Sequence, residues 1–160
     1  MEDDTEFANA IDSMVSYFYK AKYDPTKYKT HGSLLHAQVA TIADKYNCPS
    51  LYKLARTSFA ETVETIEGGD WAIVAAFLYE HTSTEVPAHV DLRNLVITAL
   101  TGRPSVLKSV SQSESIVDLL RSDADLATDL LIGMLPGVKV NLSHIFTCDV
   151  CHYAHSGAPD

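Results

Sequence analysis

Apolar residues return along this chain at intervals of three and four, interrupted by short polar turns. The clearest run is 33–66. On its first helix Leu35, Val39, Ile42, Ala43 and Tyr46 share one face, with Gln38, Thr41, Asp44 and Lys45 opposite. On its second, Leu51, Leu54, Ala55, Phe59, Val63 and Ile66 repeat at helical spacing. Between them Pro49 disfavours helix at Cys48, and Ser50 is a good N-cap. So short a link makes the two helices neighbours in space.

The same pattern predicts a helix over 6–19 before this pair, capped by Asp4 or Thr5, with Phe7, Ile11, Met14, Val15 and Phe18 as its inward stripe. Asp24-Pro25 marks a turn, and Tyr19, Tyr23 and Tyr28 are placed to pack over a helix end. After the pair, Gly68-Gly69 reads as a helix stop and Asp70 as the cap of the next helix, which runs to His81. That helix carries Trp71, Val74, Phe77 and Leu78 inward. A further helix, from Pro87 or Asp91 to Thr101, turns Leu92, Leu95, Val96, Ala99 and Leu100 inward. Gly102-Arg103-Pro104 breaks it, and a short helix covers 104–110. Ser111 to Glu114 fits a capping box ahead of Ile116, Val117, Leu119 and Leu120. A last helical stretch covers 123–134, and pattern alone leaves open whether it continues the one before.

After Pro136-Gly137 the period changes. Val138, Val140 and Leu142 alternate with polar residues, which predicts a short strand. The reading is a mostly α protein: a helical bundle of stacked amphipathic helix pairs, with a short C-terminal strand and a Cys/His tail. It divides into residues 1–66, 67–135 and 136–160.

Composition narrows the function. A formal net charge of −9 with scattered lysines and arginines argues against a nucleic-acid surface. No apolar run is long enough for a membrane span. An acidic N-terminus unlike a leader, with only three cysteines, suggests cytosol or nucleus. No Gly-rich phosphate loop, GxSxG or HExxH occurs, so no catalytic residue is expected.

The tail carries the sharpest chemical signal. Cys148 and Cys151 have the spacing of a zinc knuckle, and His144 and His155 can complete a tetrahedron; His152 is also near. A second CxxC pair is missing. Against the zinc reading stands a surface tail whose thiols do nothing. A zinc ion there would pin the tail rather than catalyse. Cys148 to His152 also spells a c-type haem attachment pattern, which needs an export route. Cys48 reads as a small buried residue, Trp71 as core, His36, His81 and His89 as structural, and Glu61, Glu64 and Glu67 as a solvated face.

Taken in order, the elements resemble the later helices of fungal BTB/POZ-domain proteins and the BACK-like helical region that trails them. The resemblance rests on FANAIDSMVSYFYKAKY, on LLHAQVATIADKYNCPSLYKLARTSFAE, on DWAIVAAFLYEHT and on VDLRNLVITAL, over roughly residues 5–135. It implies a non-enzymatic protein-interaction module of adaptor or scaffold type, with a cullin ubiquitin ligase or self-association among its partners. In the family the cullin-facing surface uses the helices matching Phe7–Tyr19 and Leu51–Val63.

The family fold opens with strands and a helical hairpin that form its dimer interface, and nothing in this sequence corresponds to them. The implied expectation is an apolar patch near Phe7–Phe18 and Leu34–Tyr46, where those strands would pack. Lys20-Ala21 stands where the family often has Thr-Gly. A positive φ without glycine is strained, so a different turn is expected there. The alternative function is a small zinc-stabilised regulatory protein acting through its Cys/His tail.

Overall fold

The computed structural model describes residues 7–135 and the backbone of two short strands further on. The protein is mostly α. Eight helices are described: α1 (Ala8–Lys20), α2 (Gly32–Lys45), α3 (Pro49–Val63), α4 (Gly68–His81), α5 (Pro87–Thr101), α6 (Pro104–Ser111), α7 (Glu114–Ser122) and α8 (Ala124–Met134). A 3-10 turn at Pro25–Lys27 lies between α1 and α2. Ile145–Thr147 (β1) and Ala154–Ser156 (β2) pair antiparallel, Phe146 opposite His155. The strand expected over 138–142 lies outside the described residues.

The first five helices are arranged about α2. It packs on α1, α3, α4, α5 and the 3-10 turn, and most extensively on α3, as the short link requires. From Leu35 through Ala43 every residue is buried. This corrects the expected polar face, since Gln38 and Thr41 are 3% and 7% exposed. Two of the buried polar side chains, Thr41 and His36, are paired within the interior. Thr41 Oγ1 donates to the Ala37 carbonyl at 3.0 Å. His36 Nδ1 meets the Tyr23 hydroxyl at 2.6 Å. Ala37, Ala40 and Ala43, all fully buried, let neighbouring backbones come close.

That close packing turns α1 away from its expected phase. Its buried residues are Ala10 and Ser13, with Met14 and Tyr17 partly covered beside them. Ile11, Val15 and Phe18 face outward, and Tyr19 is almost fully exposed. The expected inward stripe is therefore half wrong: Phe7 and Met14 pack on the core, and the other three do not. Leu54 and Tyr46 are exposed for the same reason of phase, while Tyr23 and Tyr28 do pack inward.

Helix ends show how the turns are made. Asn47 (φ 53°) is left-handed, Cys48 N–H bonds the Ala43 carbonyl at 2.7 Å, and Asn47 N–H bonds that of Asp44 at 2.9 Å. This is a Schellman motif, after which Pro49 opens α3 one residue before the expected start, with Cys48 rather than Ser50 at the N-cap. Ala21 is left-handed as well (φ 56°), and its N–H bonds the Tyr17 carbonyl at 2.7 Å. The turn that normally asks for glycine is thus kept on alanine, against expectation.

Gly68 and Gly69 open α4 instead of closing α3, and Glu67, not Asp70, is its N-cap. A Cβ on Gly68 would lie 2.9 Å from Val110 Cγ2, so glycine permits α6 to approach there. The capping box does not form, because Ser113 itself is the N-cap and Glu114 begins α7. Asp123 separates α7 from α8, its carboxylate accepting from Leu126 N–H at 2.9 Å.

The core is one cluster running from Ala10 to Leu130. Trp71 is fully buried, as expected, and its indole donates to the Val96 carbonyl at 2.9 Å, joining α4 to α5. Arg93, 4% exposed, lies over the Tyr79 ring at 4.3 Å and bonds Thr82 Oγ1 and the Thr82 carbonyl at the end of α4. Tyr79 in turn donates to Asp129 of α8 at 2.6 Å.

Candidate functional site

The outward side of α1 carries an exposed apolar stripe, as does the end of α8 with Leu131, Met134 and Leu135. Ile11, Val15 and Phe18 stand at i, i+4 and i+7, hence one above another on a single stripe. They are 41%, 44% and 61% exposed. Scattered apolar exposure is ordinary, but an aligned stripe is not.

The lower end of the stripe opens into a cavity of about 340 Å³. Phe7 and Ile11 of the α1 segment form one wall, Lys45 and Tyr46 the other, and Thr41 and Ile42 reach it from α2. His81 closes one end, its ring edge to face with Phe7 at a centroid distance of 5.1 Å and tilted against Phe77 at 4.8 Å. Ile42 belongs to both the cavity and the core.

Along the sequence, the segment that includes α1 and α2 differs in charge balance from the whole chain. Between residues 7 and 53 there are six lysines against three aspartates, whereas residues 54–135 carry five basic and twelve acidic residues. Asp12, the one acid on α1, is engaged by Lys27 and by the Tyr28 hydroxyl, both at 2.6 Å, and the Lys27 hydrogen bond holds its pKa below the usual carboxylate value. Asp44 accepts from His89 Nε2 at 3.3 Å, while His89 Nδ1 accepts from Ser83 N–H at 3.1 Å. His89 is therefore less bland than the sequence suggested, since it ties the end of α2 to the start of α5. Lys20, Lys22 and Lys45 make no ion pair among the described residues.

Of the residues singled out in the sequence, His144, Cys148, Cys151 and His152 lie outside the described residues. His155 lies on β2, where only the backbone is described. Among the described residues no three His, Cys, Asp or Glu side chains converge as a metal site requires. Cys48 is a half-buried free thiol at the N-cap of α3. His36 is buried. Glu61, Glu64 and Glu67 are exposed as expected. No described helix is long and apolar enough to cross a membrane.

The groove was missed at the sequence level. No family profile, curated protein or solved structure matches the chain.

Proposed function

We propose that this chain is a non-enzymatic protein-interaction module, alike in plan to the helical half of BTB/POZ adaptors and scaffolds, that receives its partner on the outward side of α1. The observation that carries the reading is the exposed stripe of Ile11, Val15 and Phe18 leading into the groove beside α2. A stripe of this kind is stabilising only when something covers it. It falls in the Phe7–Phe18 region where the BTB resemblance places an uncovered face. The patch expected over Leu34–Tyr46 is not there, since Leu35 to Ala43 are buried, and of that stretch only Tyr46, 58% exposed, extends the stripe. A cullin-type ligase is the partner class that the resemblance supplies.

The reading is tested with an apolar-surface dye on the folded chain. Bright dye fluorescence on the native protein, lost in an Ile11→Asp/Val15→Asp variant of unchanged helix content, is the expected result. A folded chain that leaves the dye dark has no such docking face, and the reading falls.

A further inference from the structure

We infer that the cleft between the starts of α2 and α4 binds a free α-amino acid with an apolar side chain. Its carboxylate sits at the first turn of α2, its ammonium at Asp70 and Glu67, and its side chain against Leu34, Ile73 and Val74. The site is separate from the docking face of α1.

Two cavities adjoin here. One, of about 460 Å³, is walled by the start of α2 (His31 to Ser33), the start of α4 (Glu67 and Asp70) and the end of α3. The other, of about 360 Å³, is lined by Leu34, Ile73 and Val74, with Lys29 beside them. His31 and Asp70 line both, so a polar space opens into an apolar one at that pair. Each is of a size that holds a small ligand.

The start of α2 takes an anion. No side chain caps it, so the N–H groups of its first turn have no partner there and the positive end of the helix dipole faces the cavity. A second observation singles out the same turn. Ser33 is fully buried and lines the cavity, yet its hydroxyl has no hydrogen-bond partner among the described residues. A buried hydroxyl left unmet costs about 1–3 kcal/mol. A carboxylate seated on this turn accepts from it and from the N–H groups together.

The facing wall requires a cation on the same ligand. Glu67 and Asp70 bring two carboxylates to the cavity. His31 Nε2 stands 3.5 Å from Asp70, too far to satisfy it. The hydroxyls of Thr62 and Thr65 already donate to the carbonyls of Ser58 and Thr62, so toward the cavity they offer lone pairs only. These groups do not converge as metal ligands. A phosphate here would confront two carboxylates, and a simple amine would leave Ser33 and the α2 N–H groups unmet. An amino-acid zwitterion meets both walls, and the apolar cavity beyond His31 and Asp70 receives its side chain.

The test is titration of the full chain with L-leucine, read by calorimetry and by the amide NMR shifts of Gly32 and Ser33. Binding at a Kd below about 1 mM is expected. Isocaproate, which lacks the ammonium, isoamylamine, which lacks the carboxylate, and glycine, which lacks the side chain, should each bind at least roughly tenfold more weakly. Ser33→Ala should weaken leucine but not isoamylamine, and Asp70→Asn should weaken leucine but not isocaproate.

No shift at about 10 mM leucine overturns the inference. So does isocaproate or isoamylamine binding as well as leucine, which makes the cleft a plain anion or amine site. Glycine binding as well as leucine removes the apolar cavity from the site and overturns it too. The Ile11→Asp/Val15→Asp variant should bind leucine unchanged, so failure here leaves the docking face of α1 standing.

Discussion

The hydroxyl of Tyr23 sits 2.6 Å from Nδ1 of His36, in the covered interior beside α2. With the phenol donating, Nδ1 is the acceptor and the imidazole is neutral. Burial lowers the His36 pKa from 6.5 to about 4 and raises that of Tyr23.

A pH dependence follows. The unfolded chain takes up the His36 proton below about 6.5, but the folded chain does so only near 4. The unfolded state therefore binds more protons between these values, and stability falls as pH falls. The contribution is complete above the unfolded pKa and is lost as pH drops through the folded one. At about 1.4 kcal/mol per unit the loss is roughly 3 kcal/mol. Urea midpoints measured between about pH 7 and about pH 4 should show it, with a flatter slope in His36→Leu. The depressed pKa values of Asp12, Asp24 and Asp91 start from 3.8, so these groups act below this window.

Ala21→Gly should stabilise the protein. The left-handed backbone at this position costs alanine about 1 kcal/mol that glycine does not incur. The side chain is exposed, so little packing is lost. A rise in the urea midpoint with unchanged m-value is the expected result; a fall shows that the turn does not hold the left-handed form.

Gly133→Ala should destabilise the protein despite alanine's better helix propensity. The new Cβ would stand 2.7 Å from Ile97 Cγ2 and 3.2 Å from Thr101 Cγ2. Both neighbours are β-branched and stiff, so α8 must lift from α5. A loss of about 1–2 kcal/mol is expected from overpacking, read by thermal melting.

Arg93→Ala should cost about 2–3 kcal/mol. It leaves the Thr82 carbonyl at the end of α4 without its donor and removes the cation from the Tyr79 ring. Asp125→Asn should change stability by less than about 0.5 kcal/mol. Its carboxylate is 3.8 Å from Arg93 Nη1, and its side chain is 72% exposed. Chemical denaturation of both variants separates the buried anchor from its surface neighbour.

The helices were legible because each is amphipathic over several turns and is punctuated by Pro, Gly or Asp. Which side of α1 faces inward was not. Ile11, Val15 and Phe18 are large and apolar, yet Ala10 and Ser13 face the core because small side chains allow α1 to lie close on α2. Alanine and serine carry almost no hydrophobic signal, so closeness of approach is invisible to a periodicity count. Gly68-Gly69 misled for a similar reason. A glycine required by the contact with Val110 looks in sequence like one that ends a helix. The groove was hidden because its walls come from residues far apart in the chain, Phe7 and Ile11 with Lys45, Tyr46 and His81.

The enclosure of α2 also orders the molecule in time. The amides of Leu35 to Ala43 can meet deuterium only when the whole chain comes apart, because helices cover them on every side. α7 buries only Ile116, so it can open by itself. Native-state exchange should record two clocks: a slow one at the centre that reports the global free energy, and a faster one at the periphery.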